Sequence, residues 1–420
     1  MVLRSPLYLI MFFLLSSVWA FAQKVKEEKI EYNYVKLPKQ PLDKLIKNYS
    51  VEVFATYEAD NAAKLDAYTK EKSAAEEEFR IKSEQYPAEL KAAEDQYEQE
   101  MKEYNEKGFV EKVVENKVLK ESTKPVKHLP PKPVMKTVKE PELQTTYDYP
   151  VVANTYLRLG GYENKDENAV HIKVTLYGYD YTEPRQMTIQ KNVTNYSNGK
   201  SSTRPVNYYY TEFSYRHPMS VTLTLPDGTE IFNETPQELN TYTVYKSKET
   251  ESRTPVNRDL LIKTTEEKIF QANLTFLNDL VNDKFGYQKT GRTTSLYYVK
   301  SRDDSYSDLM EAFNESSSGL KLILDDEQTG REKLEKVVKI WNSALNKSEP
   351  DNRKALINAD ITTAICFNLL EVHFALKNTS EAEKIINRLN TLKLSSEERK
   401  QKDDYVLIFS DLKNRIQANN

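Results

Sequence analysis

Two hydrophobic periods divide the chain. Between Tyr147 and Tyr245 apolar residues alternate with polar ones. Val170-His171-Ile172-Lys173-Val174-Thr175-Leu176 places every even position on one face, and Val221-Thr222-Leu223-Thr224-Leu225 repeats the pattern. Strict alternation predicts strands with one buried and one wet face, which puts His171 on the wet side. Pro226-Asp227-Gly228 reads as a hairpin turn before Ile231-Phe232, and Asn198-Gly199 as a second turn between Met187–Val193 and Val206–Tyr215. With further strands at Val151–Leu159 and Tyr242–Lys246, this region is expected to form an antiparallel β-sandwich over residues 142–250. Val51-Glu52-Val53-Phe54, in the segment 23–58, reads as a strand that could join it.

A helical period takes over in two other places. From 59 to 107 the chain is dense in Glu, Lys and Ala. Its apolar residues (Leu65, Tyr68, Ala75, Phe79, Tyr86, Leu90, Tyr97, Met101, Tyr104) recur at steps that form one narrow stripe. Pro87 should kink or break this amphipathic helical arm. From 257 to 420 the expected helices are Arg258–Lys284, Ser305–Leu324, Arg331–Asn346, Arg353–Lys377, Ser380–Leu392 and Ser395–Gln417. Thr379-Ser380 and Ser395-Ser396, each followed by acidic residues, read as N-caps. The fold class expected is thus α+β and multidomain: a helical arm, a β-sandwich and a C-terminal bundle of helical hairpins.

Residues 108–141 separate the arm from the β region. Pro125, Pro130, Pro131, Pro133 and Pro141 stand there among lysines, a composition that favours extended polyproline II geometry and reads as a linker. At the N-terminus, Arg4, the apolar run Leu7–Leu15 and Ala20-Phe21-Ala22 have the form of a secretory signal peptide over residues 1–22. The expectation is an exported protein, periplasmic or at the cell surface. No cysteine follows the apolar run, so it is not a lipoprotein, and no transmembrane span is expected in the mature chain. Cys366 is the single cysteine, set between Ile365 and Phe367, and reads as a buried small hydrophobe.

Composition narrows the chemistry. A net charge of −4 from 60 basic and 64 acidic residues gives no electrostatic reason to expect nucleic acid as a partner. Ten scattered glycines form no phosphate-cradling loop. The four histidines have no partner at i+3 or i+4, and no nucleophile elbow GxSxG occurs. Asn164, Asp166 and Asn168 alternate as calcium ligands would, but Ala169 stands where such a loop needs glycine. No catalytic residue, metal site or cofactor is expected.

The stretch Val337–Asn352, with Trp341, Ala344-Leu345 and Pro350-Asp351-Asn352, resembles the second helix of a tetratricopeptide repeat. Leu369-Leu370, Phe374, Ala382, Ile386 and Leu389 resemble a second helix pair. The separation of Val337 from Ala382 exceeds the family's period, and Leu370 stands where the family has glycine. The resemblance implies stacked helical hairpins that bind protein partners. The overall layout is also similar to secreted Bacteroidetes-type proteins of unassigned function. The function expected is a non-enzymatic adaptor or scaffold of the cell envelope, bound to protein partners through Trp341, Phe374, Tyr68, Phe79, Tyr97 and Tyr104, with self-association through the arm as a further expectation. The alternative is a carbohydrate-binding or carbohydrate-processing protein. Its rings would be Tyr177, Tyr179 and Tyr181 on one strand face, with Tyr208 and Tyr210 on a neighbouring strand.

Overall fold

The computed structural model describes residues 24–106, 108, 124–197, 199–253, 255–301 and 304–420. The expected signal peptide and part of the expected linker lie outside these residues. The protein is a mixed α+β molecule with two separate hydrophobic cores.

The first core is built on a five-stranded sheet in the order β3-β2-β4-β8-β9. Its strands are β2 (Asn48–Ala55), β3 (Glu163–Asn164), β4 (Ala169–Leu176), β8 (Met219–Thr224) and β9 (Glu230–Glu234). β2 runs parallel to β3 and β4, and the remaining pairs are antiparallel. A parallel pair needs a long crossover. Here the crossover contains α1 (Glu58–Glu106) and its return, so the helical arm is an insertion between neighbouring strands.

The alternation in β4 behaves as expected: Val170, Ile172, Val174 and Leu176 are buried, while His171, Lys173 and Thr175 lie on the outer face. What covers the buried face is not a second sheet. It is α4 (Arg258–Phe285), through Phe270, Leu274, Leu277, Val281 and Phe285, helped by α2 (Tyr149–Tyr156). The outer face carries Phe54 under Lys173 and is left to solvent. The expected sandwich is therefore a helix-backed sheet, and the first helix of the expected C-terminal region belongs to this core. Most of the segment read as a strand at Val151–Leu159, as far as Tyr156, is helical because Pro150 sits in the first turn and the Asp148 side chain accepts from Val151 N.

A second, smaller sheet stands beside the first. β6 (Arg185–Ser197) and β7 (Lys200–Arg216) form a long hairpin around Gly199. β5 (Asp180–Tyr181) and β10 (Thr243–Lys246) pair with the base of β7. Between β9 and β10 runs a single helical turn, α3 (Gln237–Asn240).

The second core is helical, with one addition. α5 (Ser307–Leu322) pairs with α6 (Glu327–Leu345), and α7 (Ala359–Ala375) with α8 (Thr379–Asn390). α9 (Ser396–Asn419) closes the array, opened by the Ser395/Glu398 capping box. Asn378, not the expected Thr379-Ser380, caps α8. Across α5 and α7 lies a two-stranded antiparallel ribbon of β1 (Lys24–Lys36) and β11 (Gln288–Lys300). The segment 23–58 is thus split, its first strand serving the helical core and its second the sheet. Residues 257–420 are not wholly helical. α7 is enclosed on every side: Ile361 to Phe374 are all buried.

Candidate functional site

α1 is one continuous helix of 49 residues that contains Pro87, and Ala75 is its only fully buried residue. At 1.5 Å per residue it is about 70 Å long. It packs extensively on no other described helix or strand. What accompanies it is the described part of the expected linker, residues 124–141, which runs back along it. Lys127 pairs with Glu94 at 2.9 Å and Lys136 with Glu71 at 3.0 Å. Asn61 exchanges two hydrogen bonds with the Gln144 backbone, at 2.8 and 3.0 Å. From Glu94 to Asn61 the helix covers about 50 Å, and residues 127–144 span the same distance at about 2.9 Å each, close to the polyproline II rise.

The period agrees: residues 127, 130, 133 and 136, at the three-residue repeat of that conformation, put two prolines and the two paired lysines on one side. Charge explains the pairing. α1 holds twelve Glu and three Asp against six Lys and Arg80, while the return from 124 to 141 holds five Lys and only Glu140. Tyr68, Phe79, Tyr97 and Tyr104 are all half-buried along this stripe. Val126, Leu129 and Val134 of the return are exposed, Val134 at 86%.

The helical unit presents a different picture. Trp341 and Phe374 are interior, at 1% and 7% exposure, and hold the second core together. They offer no ring to a partner. Beside Phe374 the structure places a buried ion cage that composition did not reveal. The Glu371 carboxylate is fully buried. It accepts from Arg292 Nε at 2.6 Å and Nη2 at 2.8 Å, from Thr294 Oγ1 at 3.0 Å, from Tyr405 OH at 2.7 Å and from Tyr32 OH. Burial alone would raise this carboxyl, but the Arg292 hydrogen bonds and charge outweigh it and hold it below the usual range. Burial first, and then the Glu371 charge, push Tyr32 and Tyr405 well above the ordinary phenol value. The cage ties β1, β11, α7 and α9 to one point. Its sequence signal is a lone glutamate within the apolar run of α7. Cys366 is fully buried, its thiol pushed up to about 12 by desolvation.

The tyrosines of the β region do not form one platform. β4 ends at Leu176, and Gly178 adopts φ +95. A Cβ there would stand 2.9 Å from Gln144 Oε1, so the chain crosses from the large sheet to the small one through a glycine-only turn. The turn separates the three rings expected on one face. Tyr177 is exposed at 48%, Tyr179 is buried at 4%, and Tyr181 is half-buried, stacked on Tyr179 at 5.3 Å. Tyr208 and Tyr210 share a face of β7, but each is covered by a lysine: Lys191 lies 5.7 Å above Tyr208 and Lys246 4.1 Å above Tyr210. Glu249 pairs with both lysines.

Among the described residues, no group of three or more His, Cys, Asp or Glu side chains is placed to hold a metal ion. No described helix is long and apolar enough to cross a membrane. Comparison with protein-family models, curated proteins and solved structures finds no match for this chain.

Proposed function

We propose that this protein is an exported, non-enzymatic scaffold or adaptor of the cell envelope that engages a protein partner through the α1 arm. The observation that carries this reading is the arm: about 70 Å of helix with a polyproline return, tied to the body, among the described residues, at its base and exposed along most of its length. A segment of that length contributes little to either core, and ordering it is costly in conformational entropy. Reach is what it supplies.

The tetratricopeptide-like reading of the C-terminal unit is supported by the hairpins α5–α6 and α7–α8 with α9 after them. In such stacks the first helices of successive hairpins line the partner groove. Here those helices, α5 and α7, are covered by the β1–β11 ribbon. On that reading the chain's own strands would take the groove side, which favours the arm as the partner surface.

The test is site-directed photo-crosslinking in the native envelope, with a photoreactive residue at Lys91 or Glu98 on exposed turns of the arm and at Lys339 on α6. The expected outcome is one discrete adduct from both arm positions and none from Lys339. Adducts from Lys339 alone, or from no position, would overturn the reading.

A further inference from the structure

The glycine turn that separates Tyr177 from Tyr179 opens a cleft of about 540 Å³ between the two sheets, a size typical of small-molecule sites. Tyr177 forms part of its lining, with its hydroxyl held by Ser220 at 3.0 Å. Tyr242, exposed at 44%, stands beside it with the Arg216 guanidinium 4.5 Å above its ring and its hydroxyl on Asp180.

The charged pair in this cleft is fixed by its neighbours. Arg216 Nε and Nη2 donate to Asp180 Oδ2 at 3.1 and 3.0 Å. Its Nη1 donates to the Asn240 carbonyl at 3.3 Å and to Asn240 Oδ1 at 3.1 Å. All three guanidinium nitrogens are thus engaged, and a single Nη2 N–H, not a two-pronged edge, is left for an incoming anion. Asp180 takes both arginine contacts and the Tyr242 hydroxyl on Oδ2, which leaves Oδ1 as a free acceptor. Because a guanidinium can only donate, it turns the Asn240 amide so that Oδ1 faces it and Nδ2 remains a free donor. Asp180 and Arg216 are the only charged residues of the lining, and they cancel.

From these observations we infer that the cleft is a binding site for a neutral saccharide. A preset acceptor and donor match the hydroxyls of a sugar, an exposed ring face matches its apolar C–H face, and the cancelled charge disfavours anionic ligands. This inference is independent of the adaptor reading. It retains Tyr177 from the tyrosines singled out by sequence and adds Tyr242, Asp180, Arg216 and Asn240, none of which shows a motif.

Affinity gel electrophoresis of the full chain tests it, with soluble neutral polymers (a β-glucan, an α-glucan and a galactomannan) and with anionic polygalacturonate cast into the gels. The expected result is retardation by at least one neutral polymer, weakened tenfold or more in Tyr177→Ala and in Asp180→Asn. Tyr196→Ala is the control: this ring, on β6 outside the cleft, is 82% exposed and would dominate any non-specific adsorption. Thermal melts of each variant separate loss of binding from loss of fold. Full mobility in every neutral polymer would overturn the inference. So would retardation by polygalacturonate alone, or loss of binding in Tyr196→Ala with Tyr177→Ala unaffected.

Discussion

Glu371 is the residue on which the helical unit turns. A carboxylate without solvent exposure is stable only when its charge and lone pairs are matched, and here five donor atoms from four side chains do so. Removing one partner leaves a buried charge uncompensated. We expect Arg292→Met to lower the unfolding free energy by about 3–5 kcal/mol, read from urea titration of the far-UV signal. Adding Glu371→Leu to that variant should restore part of the loss, since a buried ion pair is often replaceable by apolar packing. A double variant less stable than Arg292→Met alone would show that the carboxylate is stabilising through its tyrosines. Sequence read Cys366 as buried, and it is; it placed Trp341 and Phe374 in helices but could not distinguish interior from display surface. Burial of Phe374 depends on the ribbon that covers α7, whose strands β1 and β11 meet only in the fold, and burial of Trp341 on the packing of α6 against α5 and α7. The same holds for Tyr179, whose strand period is interrupted at Gly178.

At the scale of elements, periodicity was a good guide wherever one element packs on one neighbour. β4, β8 and most C-terminal helices fall close to their expected bounds, while the β6–β7 strands extend four to six residues further toward their turn and α7 starts at Ala359, not Arg353. It misread Val151–Leu159, where capping by Asp148 and Pro150 overrides a β-branched run. It also took residues 108–141 as a spacer. Over the described residues 124–141 the extended conformation is as expected from the prolines, but the path is set by opposite charge on α1, which no local pattern encodes. That charge pairing is testable. Lys127→Glu with Lys136→Glu should detach the return from the helix while α1 stays folded. Limited proteolysis should then cut within residues 124–141 at least several-fold faster, with the two cores intact. Unchanged cleavage would mean that proline packing alone holds the return in place. The exposed pairs themselves are each worth little, on the order of 0.2–1 kcal/mol, so the effect should appear in local opening and not in global stability.

At the scale of the whole molecule, the two cores meet at Asp283, near the end of α4. Its carboxylate receives Lys36 at 2.6 Å, Lys39 at 2.8 Å and Arg415 of α9 at 2.7 Å. Arg415 also donates to the Leu37 carbonyl, and Asn419 to that of Pro38. Burial works against ionisation of Asp283, but the hydrogen bonds from Lys36, Lys39 and Arg415 hold its carboxyl far below the usual range. A depressed carboxyl stabilises the folded form above the unfolded value near 3.9, and that contribution is lost as pH falls below it. We expect one cooperative melt at pH 7, a weakening of the junction as pH falls below about 3.9, and two separate transitions only at still lower pH, once the depressed carboxyl itself takes up a proton and the cores uncouple. Asp283→Asn should split the melt at pH 7. A single transition in that variant would mean that the units are coupled elsewhere.

The β1–β11 ribbon has a consequence for how the chain is made. Its strands pair Lys24 with Lys300 and Lys36 with Gln288, so about 250 residues separate each half from its complement. At about 5–20 residues per second of synthesis, β1 exists for some ten to fifty seconds before β11 has been built. Throughout that interval it is an unpaired strand, with Ile30 and Tyr32 still uncovered. The sheet-based core, complete by Phe285, can assemble in the meantime, and the helical core cannot. Birth order and assembly order are therefore opposed: the earliest described strand is among the last to find its place.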